Sequence, residues 1–534
     1  MDSVYERALF EIGANGKFQK RFDILYNFIF AALWPCAYNN IILALVIIPH
    51  ICKLPENLNN MSENVWKSKY IPMTENVSGK YEYSSCLLYV NPEESNITKG
   101  CDSYSYDKTW YESTISSTNN WVCDNEINVA NVFAYSKIGE VFGSVIFGWF
   151  GDKYGRRVAY ILSLALLVMG RIISIIGSDY FSLLVLGCII ASLPSWTAVQ
   201  SVTSISMEIS SPERRSLTAS YRSVAYSIGM GIMPFLYWWL RDWKPFMIVT
   251  TLTQLPFLIF SWKVIESPRW LWTEGKTAAC FKTLKQISRV NNTKLEKETE
   301  LELLTVSPPS KQKLLGPLSL FSGWKLAINT ILQLYLWVAV TISYVVLIMG
   351  SGEKSDSNPF LEFAWQSLAE IPGTFIGAWM SDNLGRRYAG ALSYLVATLM
   401  FGLSVLRDSG TDTWFQSWWV GSALVIINRT AITVAFYLIY LLNMEIYPTC
   451  LRQSGMSLGS LFSSIGAAIA PYLMYAGHQF DARIPAVILI VTSLFGLIAS
   501  LLLPETLNAK LPETLNDAHN FGKRKQKYIS IELN

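Results

Sequence analysis

Ionisable side chains interrupt several of the long apolar stretches in this sequence. Lys137 and Glu140 stand three residues apart, a spacing that places both on one face of a helix. Glu370 and Arg429 lie within two further apolar stretches. A charge inside a lipid-embedded helix is costly, so these residues are the first candidates for a binding site. Lys137 and Glu140 either neutralise each other or form a dipole that binds both ends of a zwitterion.

A second group of charges repeats along the chain. The stretch "FGWFGDKYGRRV" begins at Phe147, and the similar stretch "GAWMSDNLGRRY" begins at Gly377. Two more stretches recur in the same order: "MEISSPERR" returns as "MEIYPTCLR", and "SIGMGIMP" returns as "SIGAAIAP". Three ordered matches indicate a duplicated chain. Internal repeats of this size are typical of transporter folds, in which the substrate site lies between the repeats.

The composition indicates that membrane helices position these residues. Of the 534 residues, 51% are apolar and 16% are charged, whereas soluble domains contain roughly 25% charged residues. Runs such as "IPAVILIVTSLFGLIASLLL" are long enough to cross the hydrocarbon as a helix. Inside lipid only helices and closed barrels satisfy the backbone, and long continuous apolar runs exclude a barrel. The sequence therefore predicts an all-α membrane protein.

The apolar pattern predicts twelve spans, and the basic residues orient them. The predicted spans are 22–50, 129–151, 158–177, 181–207, 223–240, 244–263, 326–350, 359–380, 388–406, 415–443, 454–476 and 483–503. Because their number is even, both termini lie on one side of the membrane, together with the main clusters of lysine and arginine. Such clusters favour the cytosolic side, so we expect both termini to be cytosolic.

These spans divide the chain into segments. We expect a cytosolic N-terminal segment at 1–21, a six-helix bundle at 22–263, a cytosolic linker with short helices at 264–325, a second six-helix bundle at 326–503 and a cytosolic tail at 504–534.

The long loop 52–128 is predicted to face an oxidising, glycosylating compartment. It contains four cysteines and three Asn-X-Ser/Thr acceptors: Cys52, Cys86, Cys101, Cys123, Asn60, Asn76 and Asn96. Four cysteines form two disulfides in any of three pairings, and the sequence does not choose among them.

The repeated motif, Gly-x-x-x-Asp-x-x-Gly-Arg-Arg after the second span and its near-copy after the eighth, resembles the signature of the major facilitator superfamily. "ESPRWL" at 266–271, "PETLNAKLPET" at 504–514, "GANGKFQK" before the first span and the long cysteine-bearing loop resemble the organic cation/anion/carnitine (organic ion) transporter family. The resemblance covers nearly the whole chain. It implies the major facilitator fold: twelve transmembrane helices in two pseudo-symmetric six-helix bundles that give alternating access to a central site.

The same resemblance implies that the repeated charges form cytosolic ion-pair clusters that gate the carrier. The alternative is that the arginines only anchor the topology, although the acidic and glycine positions exceed that need. The gating residues that the resemblance implies are Asp152, Arg156, Arg157, Glu208, Arg215, Glu266, Arg269, Asp382, Arg386, Arg387, Glu445, Arg452 and Glu505.

A substrate cavity is expected among polar and aromatic residues inside the spans. Its candidate residues are Tyr38, Asn39, Lys137, Glu140, Trp337, Tyr344, Glu362, Glu370, Arg429 and Ser464. Ser464 stands where the family usually carries an aspartate or an arginine, and Cys188 stands where it carries an arginine in the fourth span. Arg171 in the third span either supplies the missing charge or extends outward to the membrane surface.

We therefore expect a membrane carrier of small organic ions, with cations or zwitterions such as carnitine-like molecules and amine conjugates as substrates. An organic anion exchanger is the alternative, and a non-transporting receptor derived from a carrier is a third. The sequence predicts no enzyme, no cofactor, no metal site and no nucleic-acid partner, and no pattern identifies a coupling ion. We expect a multi-pass plasma-membrane protein that is a monomer or a loose homo-oligomer.

Overall fold

Twelve helical spans form the body of the protein. The computed structural model describes residues 4–53, 63–75, 81–90, 97–305, 317–351, 358–409, 414–448, 451–507, 512 and 515–521. The spans are Lys17–Ala44, Ile127–Tyr154, Arg156–Ile176, Phe181–Glu208, Pro212–Leu240, Trp243–Lys263, Trp324–Gly350, 359–384, Arg386–Ser409, Trp418–Ile446, Arg452–Gln479 and Ile484–Leu502. The predicted all-α membrane fold is confirmed.

Nine of the described helices are long and apolar enough to cross a membrane. The second, fifth and eighth spans fall outside that set, and they carry Glu140, Arg222 and Glu370 within their length. Charges in these three spans indicate that they border an internal polar region rather than lipid alone.

Most span ends lie close to their predicted positions, and two differ clearly. The fifth span begins at Pro212 rather than at 223, because Ser211 is extended and a proline is favourable at the first helical position. The first span runs from Lys17 to Ala44 rather than from 22 to 50, since His50 already belongs to a strand.

Several spans are interrupted near their centres. The first contains the π-helical segment Asp23–Phe30 and a break at Asn39. The fourth consists of the helices Phe181–Ser192 and Thr197–Glu208, which are separated at Pro194, a residue that has no N–H for the helical ladder. These interruptions turn backbone and side-chain polar groups towards the interior of the molecule.

The long loop between the first two spans contains short paired strands. His50–Cys52 pairs with Tyr104–Tyr106, Met73–Glu75 with Tyr81–Tyr83, and Leu87–Tyr89 with Thr98–Gly100, all antiparallel. Its helices are Glu63–Tyr70 and Ile115–Thr118, and a 3-10 turn covers Cys123–Asn125.

Two disulfides close this loop. Cys52 pairs with Cys101 and Cys86 pairs with Cys123, which selects one of the three pairings that the sequence allowed. The predicted glycosylation sites Asn60, Asn76 and Asn96 lie outside the described residues. At its far end the loop is bound to the fifth span, where the Tyr237 hydroxyl donates to the carbonyl of Ser113 at 2.9 Å.

Short helices cover the opposite face of the molecule. They are Val4–Glu11, Pro268–Thr273, Thr277–Asn291, Lys297–Thr305 and Leu515–Asn520, with a 3-10 turn at Pro317–Phe321, and the sixth span ends on this face in the 3-10 turn Phe260–Lys263. Asn291 binds the N-terminal segment: its amide donates to the carbonyls of Ile12 and Gly13 at 2.9 and 3.0 Å. We call this face the linker side and the face with the disulfide-bonded loop the loop side. Spans one to six are the first half, and spans seven to twelve are the second half.

Candidate functional site

A cavity of about 140 Å³ lies between the two halves near the middle of the spans. Its lining residues come from both halves: Tyr38, Asn39, Ile41, Ile42, Phe133, Ser136, Lys137, Glu140, Arg171, Ser192, Trp196, Tyr226, Thr341, Tyr344, Val345, Ile348, Met349, Phe436, Ser463, Ser464, Ala467 and Pro471. The cavity therefore occupies the place where a duplicated carrier binds its substrate.

A buried carboxylate stands on the first-half wall of the cavity. Lys137 Nζ lies 2.6 Å from Glu140 Oε2, and the Tyr38 hydroxyl donates to the same oxygen at 3.2 Å. The Ser195 hydroxyl donates to Glu140 Oε1 at 3.3 Å, from the interruption in the fourth span. The carboxylate is thus neutralised by lysine and held by two hydroxyl groups.

Arg171 lies inside the protein and does not extend outward to the membrane surface. Its side chain is 1% exposed, its Nε donates to the carbonyl of Ala37 at 3.0 Å, and its Nη2 donates to the carbonyl of Tyr38. These carbonyls are available because the first span is interrupted at Asn39. The guanidinium lies beside Cys188. Cys188 occupies the position at which the family that the sequence resembles carries an arginine.

Aromatic rings line the remaining walls. The rings of Trp196 and Tyr226 lie 5.0 Å apart, and those of Tyr344 and Phe436 lie 5.6 Å apart. A polar chain crosses between the halves: the Asn39 amide donates to the Tyr226 hydroxyl at 3.2 Å, and that hydroxyl lies 3.5 Å from the Tyr344 hydroxyl. Ring faces attract cationic groups, so these walls suit an amine or a quaternary ammonium.

Sequence reasoning missed Trp196, Tyr226 and Phe436. Trp196 lies two residues after Pro194, and a tryptophan so close to a helix-breaking proline was the signal that could have identified it. Tyr226 and Phe436 lie in apolar surroundings that resemble ordinary packing positions, and no local pattern distinguishes them.

The ion pair between Glu370 and Arg429 lies beside the cavity and not on its lining. Glu370 Oε1 is 2.6 Å from Arg429 Nη2 and 3.1 Å from Nε, and its other oxygen accepts from the Ser227 hydroxyl of the first half at 3.1 Å. The guanidinium lies 4.4 Å from the centre of the Tyr344 ring. The pair therefore packs against the Tyr344 ring, which lines the cavity.

Two further candidates also lie outside the lining. Trp337 is buried and packs edge-on against Tyr440, with ring centres 4.7 Å apart. Glu362 accepts a hydrogen bond from the Ser422 hydroxyl within the second half. Glu362 was expected in the cavity because it precedes Glu370 by eight residues on nearly the same helix face, and Trp337 because it precedes Tyr344 by seven. In the structure their side chains contact residues of the tenth span instead.

The second-half wall carries hydroxyl groups instead of charges. Ser464 is 2% exposed, and its hydroxyl donates to the carbonyl of Ser460 at 3.1 Å. The Ser463 and Thr341 hydroxyls lie 2.7 Å apart. The lining residues of this half include no ionisable group other than Tyr344.

On the linker side of the second half, the repeated charges form a network. Arg386 makes a two-point contact with Glu445, with Nη2 to Oε1 at 3.0 Å and Nε to Oε2 at 3.1 Å. The backbone N–H groups of Arg386 and Arg387 donate to Glu505 at 2.9 and 3.1 Å. Asp382 is 73% exposed and lies 3.8 Å from Arg386. The carboxylate that binds the N-terminus of the ninth span is therefore Glu505 and not Asp382.

The first half repeats this arrangement. The backbone N–H groups of Arg156 and Arg157 donate to Glu266 at 2.9 and 3.2 Å. Burial raises the pKa of the Glu266 carboxyl, and the N–H groups of Ser267, Arg157 and Arg156 lower it in part. Glu208 accepts from the Ser267 hydroxyl. The positive N-terminus of the third span thus receives a carboxylate, as the ninth span does.

The remaining gating candidates lie outside these two carboxylate sites. Arg269 is exposed, and Arg452 Nε donates to the carbonyl of Tyr447 at 3.2 Å. The side chains of Asp152 and Arg215 lie outside the part that the structure describes.

A buried aspartate on the linker side was not predicted. Asp23 is 2% exposed and lies 2.7 Å from Arg214 Nη2, and it also accepts from the Asn27 amide at 3.0 Å. It was not singled out from the sequence because it stands at the start of the predicted first span, and charged residues are common at the ends of spans.

The two halves touch on the loop side. His478 Nδ1 of the eleventh span lies 2.5 Å from Glu126 Oε1, beside the start of the second span. The Gln479 amide donates to Glu126 Oε2 at 3.1 Å and to the carbonyl of Cys123 at 3.2 Å. We call these three contacts the latch.

On the linker side, each ion pair within the described residues joins groups of the same half or its linker helices. Tyr440, near the linker-side end of the tenth span, is 45% exposed. Among the described residues, the ion pair that joins the two halves therefore lies on the loop side.

Similar proteins agree with this architecture. Residues 95–517 match the family described as sugar (and other) transporter. An organic cation transporter protein of Drosophila melanogaster is 28% identical over 97% of this chain and 95% of its own length. A beta-alanine transporter of Drosophila melanogaster is 26% identical over 96% and 89%, and solute carrier family 22 member 1 of Bos taurus is 28% identical over 98% and 93%.

Solved structures share the fold. The xylose transporter XylE from E. coli, in a partially occluded inward open conformation, superposes with a TM-score of 0.55 at 17% identity, over 73% of this chain and 90% of that one. Because the family match covers most of the chain, the chain belongs to the sugar (and other) transporter family, and its fold is the one that the solved major facilitator transporters share.

Proposed function

We propose that this protein carries small organic ions across the plasma membrane by alternating access, with both termini in the cytosol. The observation that carries the proposal is the central cavity, which is lined by both halves and lies beneath the latch that joins them on the loop side. A cavity between two repeats becomes accessible from each side in turn when the halves rock about it. Each chain forms a complete cavity, so transport needs no partner chain.

Zwitterions and cations are the ions that the cavity favours in this proposal. The aromatic walls suit an ammonium group, and Lys137 with Glu140 offers one charge of each sign. The names of the relatives include an organic cation transporter and a beta-alanine transporter. Beta-alanine has both an amine and a carboxylate.

The experiment is uptake into cells that express the protein, with labelled cation, zwitterion and anion panels. Glu140→Gln and Lys137→Gln each should lower uptake at least tenfold, because each removes one end of the dipole, and the double variant should recover little. Recovery in the double variant would identify a merely self-neutralising pair. Lys108→Gln is the matched control, since Lys108 pairs with Glu112 at 2.5 Å in the loop, far from the cavity.

Ser464 tests the sign of the preferred charge from the opposite wall. Ser464→Asp should raise the ratio of cation to anion uptake and Ser464→Arg should lower it, because each places a charge on a neutral lining. Equal shifts for both variants, or none at normal surface levels, would show that substrate does not reach this wall.

A further inference from the structure

We propose that Arg171 binds a carboxylate of the transported ion, so that the substrates are carboxylate-bearing organic ions rather than simple cations. This inference rests on the proposed function and names the substrate class of the same cavity. It follows from the donors that Arg171 leaves unused, from the charges of the lining and from the chemistry of the facing wall.

Arg171 has unused donors in a buried position. A guanidinium carries five N–H donors, and here Nε and Nη2 are held by the carbonyls of Ala37 and Tyr38. Among the residues that the structure describes, none accepts a hydrogen bond from Nη1. The side chain is 1% exposed and belongs to the cavity lining. The two carbonyls fix the orientation of the guanidinium and leave Nη1 without an acceptor.

The charges of the lining do not balance. Glu140 and Lys137 contribute one charge of each sign, so they cancel in the net charge of the lining, and the oxygens of Glu140 also accept from Tyr38 and Ser195. No carboxylate of the described residues forms an ion pair with Arg171. A charge buried in a membrane protein normally pairs with an opposite charge, since an uncompensated one is strongly unfavourable. The lining therefore has one positive charge in excess, and an anionic group on the substrate would compensate it.

The facing wall supplies no competing anion. Ser464, Ser463 and Thr341 present hydroxyl groups, and Glu370 is engaged by Arg429 and Ser227 outside the lining. A ligand carboxylate at Arg171 would place the rest of a small molecule against the rings of Trp196 and Tyr344, which line the same cavity. Arginine matches carboxylate geometry well, which makes it a selective group for this task.

The test compares probes that differ in one carboxylate: glycine betaine against choline, and γ-aminobutyrate against butylamine. We expect the wild-type protein to take up the carboxylate member of each pair at least tenfold faster. Arg171→Gln should abolish this ratio, and Arg171→Lys should keep part of it. Arg407→Gln is the matched control, because Arg407 also donates to main-chain carbonyls, of Gln416 and Ser417, but does not line the cavity.

A second variant leaves Arg171 intact in case its substitution prevents folding. Ser464→Asp places a carboxylate on the facing wall, and it should lower the carboxylate-to-amine ratio at normal surface levels. Equal or faster uptake of choline and butylamine by the wild-type protein would overturn the inference and leave the carrier function standing. No uptake of any probe or panel compound by well-expressed protein would overturn both.

Discussion

Two glycines explain why the repeated motif contains glycine directly before its arginine pair. Gly155 and Gly385 have φ values of +106° and +84°, where residues with a Cβ are strained. A Cβ at either position would also overlap a carboxylate oxygen, of Glu266 or Glu505. Both conditions arise because the chain turns sharply between two spans while a carboxylate binds the N-terminus of the second one.

We predict that Gly155→Ala destabilises the protein by roughly 1–3 kcal/mol, since it forces a strained backbone and displaces Glu266. Cell-surface level and melting temperature in detergent are the measurements. Gly148→Ala is the control, because a Cβ there meets no atom within 4 Å in the same span. Equal losses in the two variants would show that the turn at Gly155 is not the cause.

How far single residues could be predicted depends on whether the signal is local. Lys137, Glu140, Tyr38 and Ser464 line the cavity, as their charge or position suggested. The direction of Arg171 could not be read from the sequence, because it depends on carbonyls that a break in another span exposes. The positions of Trp337 and Glu362 depend on the rotation of helices, which is set by packing among several spans.

At the scale of elements, the Glu370–Arg429 pair binds the eighth span to the tenth and, through Ser227, to the fifth. Arg429 has no exposed surface, and its Nη1 has no acceptor among the described residues. Removing one partner of such a pair leaves an uncompensated buried charge, which is more costly than the loss of the whole pair.

We expect Glu370→Gln to destabilise the protein by roughly 3–5 kcal/mol and the double variant with Arg429→Gln to recover part of that loss. Thermal unfolding in detergent measures both. As the control, Glu302→Gln removes a pair with Arg7 at 2.7 Å that is exposed, so it should cost about 1 kcal/mol or less. Additive losses in the double variant would contradict a buried, coupled pair.

Most span boundaries were predictable, since the hydrophobic pattern that determines them is local. The interruptions at Asn39 and near Pro194 were not predicted, because the apolar segments on the two sides of each one together have the length of a single span. The start of the fifth span was missed because its first turns carry Arg214 and other charged residues on the linker side. A span predicted from hydrophobicity alone begins only after these charged turns.

At the scale of the whole molecule, the latch holds the two halves together on the loop side. Glu126 is 8% exposed, and it accepts from both His478 and Gln479 of the other half. In an alternating-access cycle these contacts must break before the cavity opens towards the loop side. Their strength therefore sets part of the balance between the two conformations.

We predict that Glu126→Gln raises the population that is open on the loop side roughly tenfold, since a hydrogen bond to a charged group contributes about 1.5 kcal/mol or more. The measurement is labelling of Ile42→Cys, a cavity residue, by an impermeant maleimide added outside cells, with the unpaired cysteines replaced. Asp481→Asn is the control, because Asp481 contacts Arg483 of its own half. Unchanged labelling would show that the latch does not govern opening.

The attachment of the linker helices has a consequence for how the protein can be produced. Asn291 binds Ile12 and Gly13, and Thr299 donates to Glu11 at 2.6 Å, whereas Leu320 after the linker lies in the core of the second half. The linker helices up to Thr305 are therefore bound to the first half, and the segment from Pro317 onwards is bound to the second half. The protein should tolerate division into two separately encoded chains between Thr305 and Pro317, and the two chains should reassemble in the membrane through the contacts between the halves.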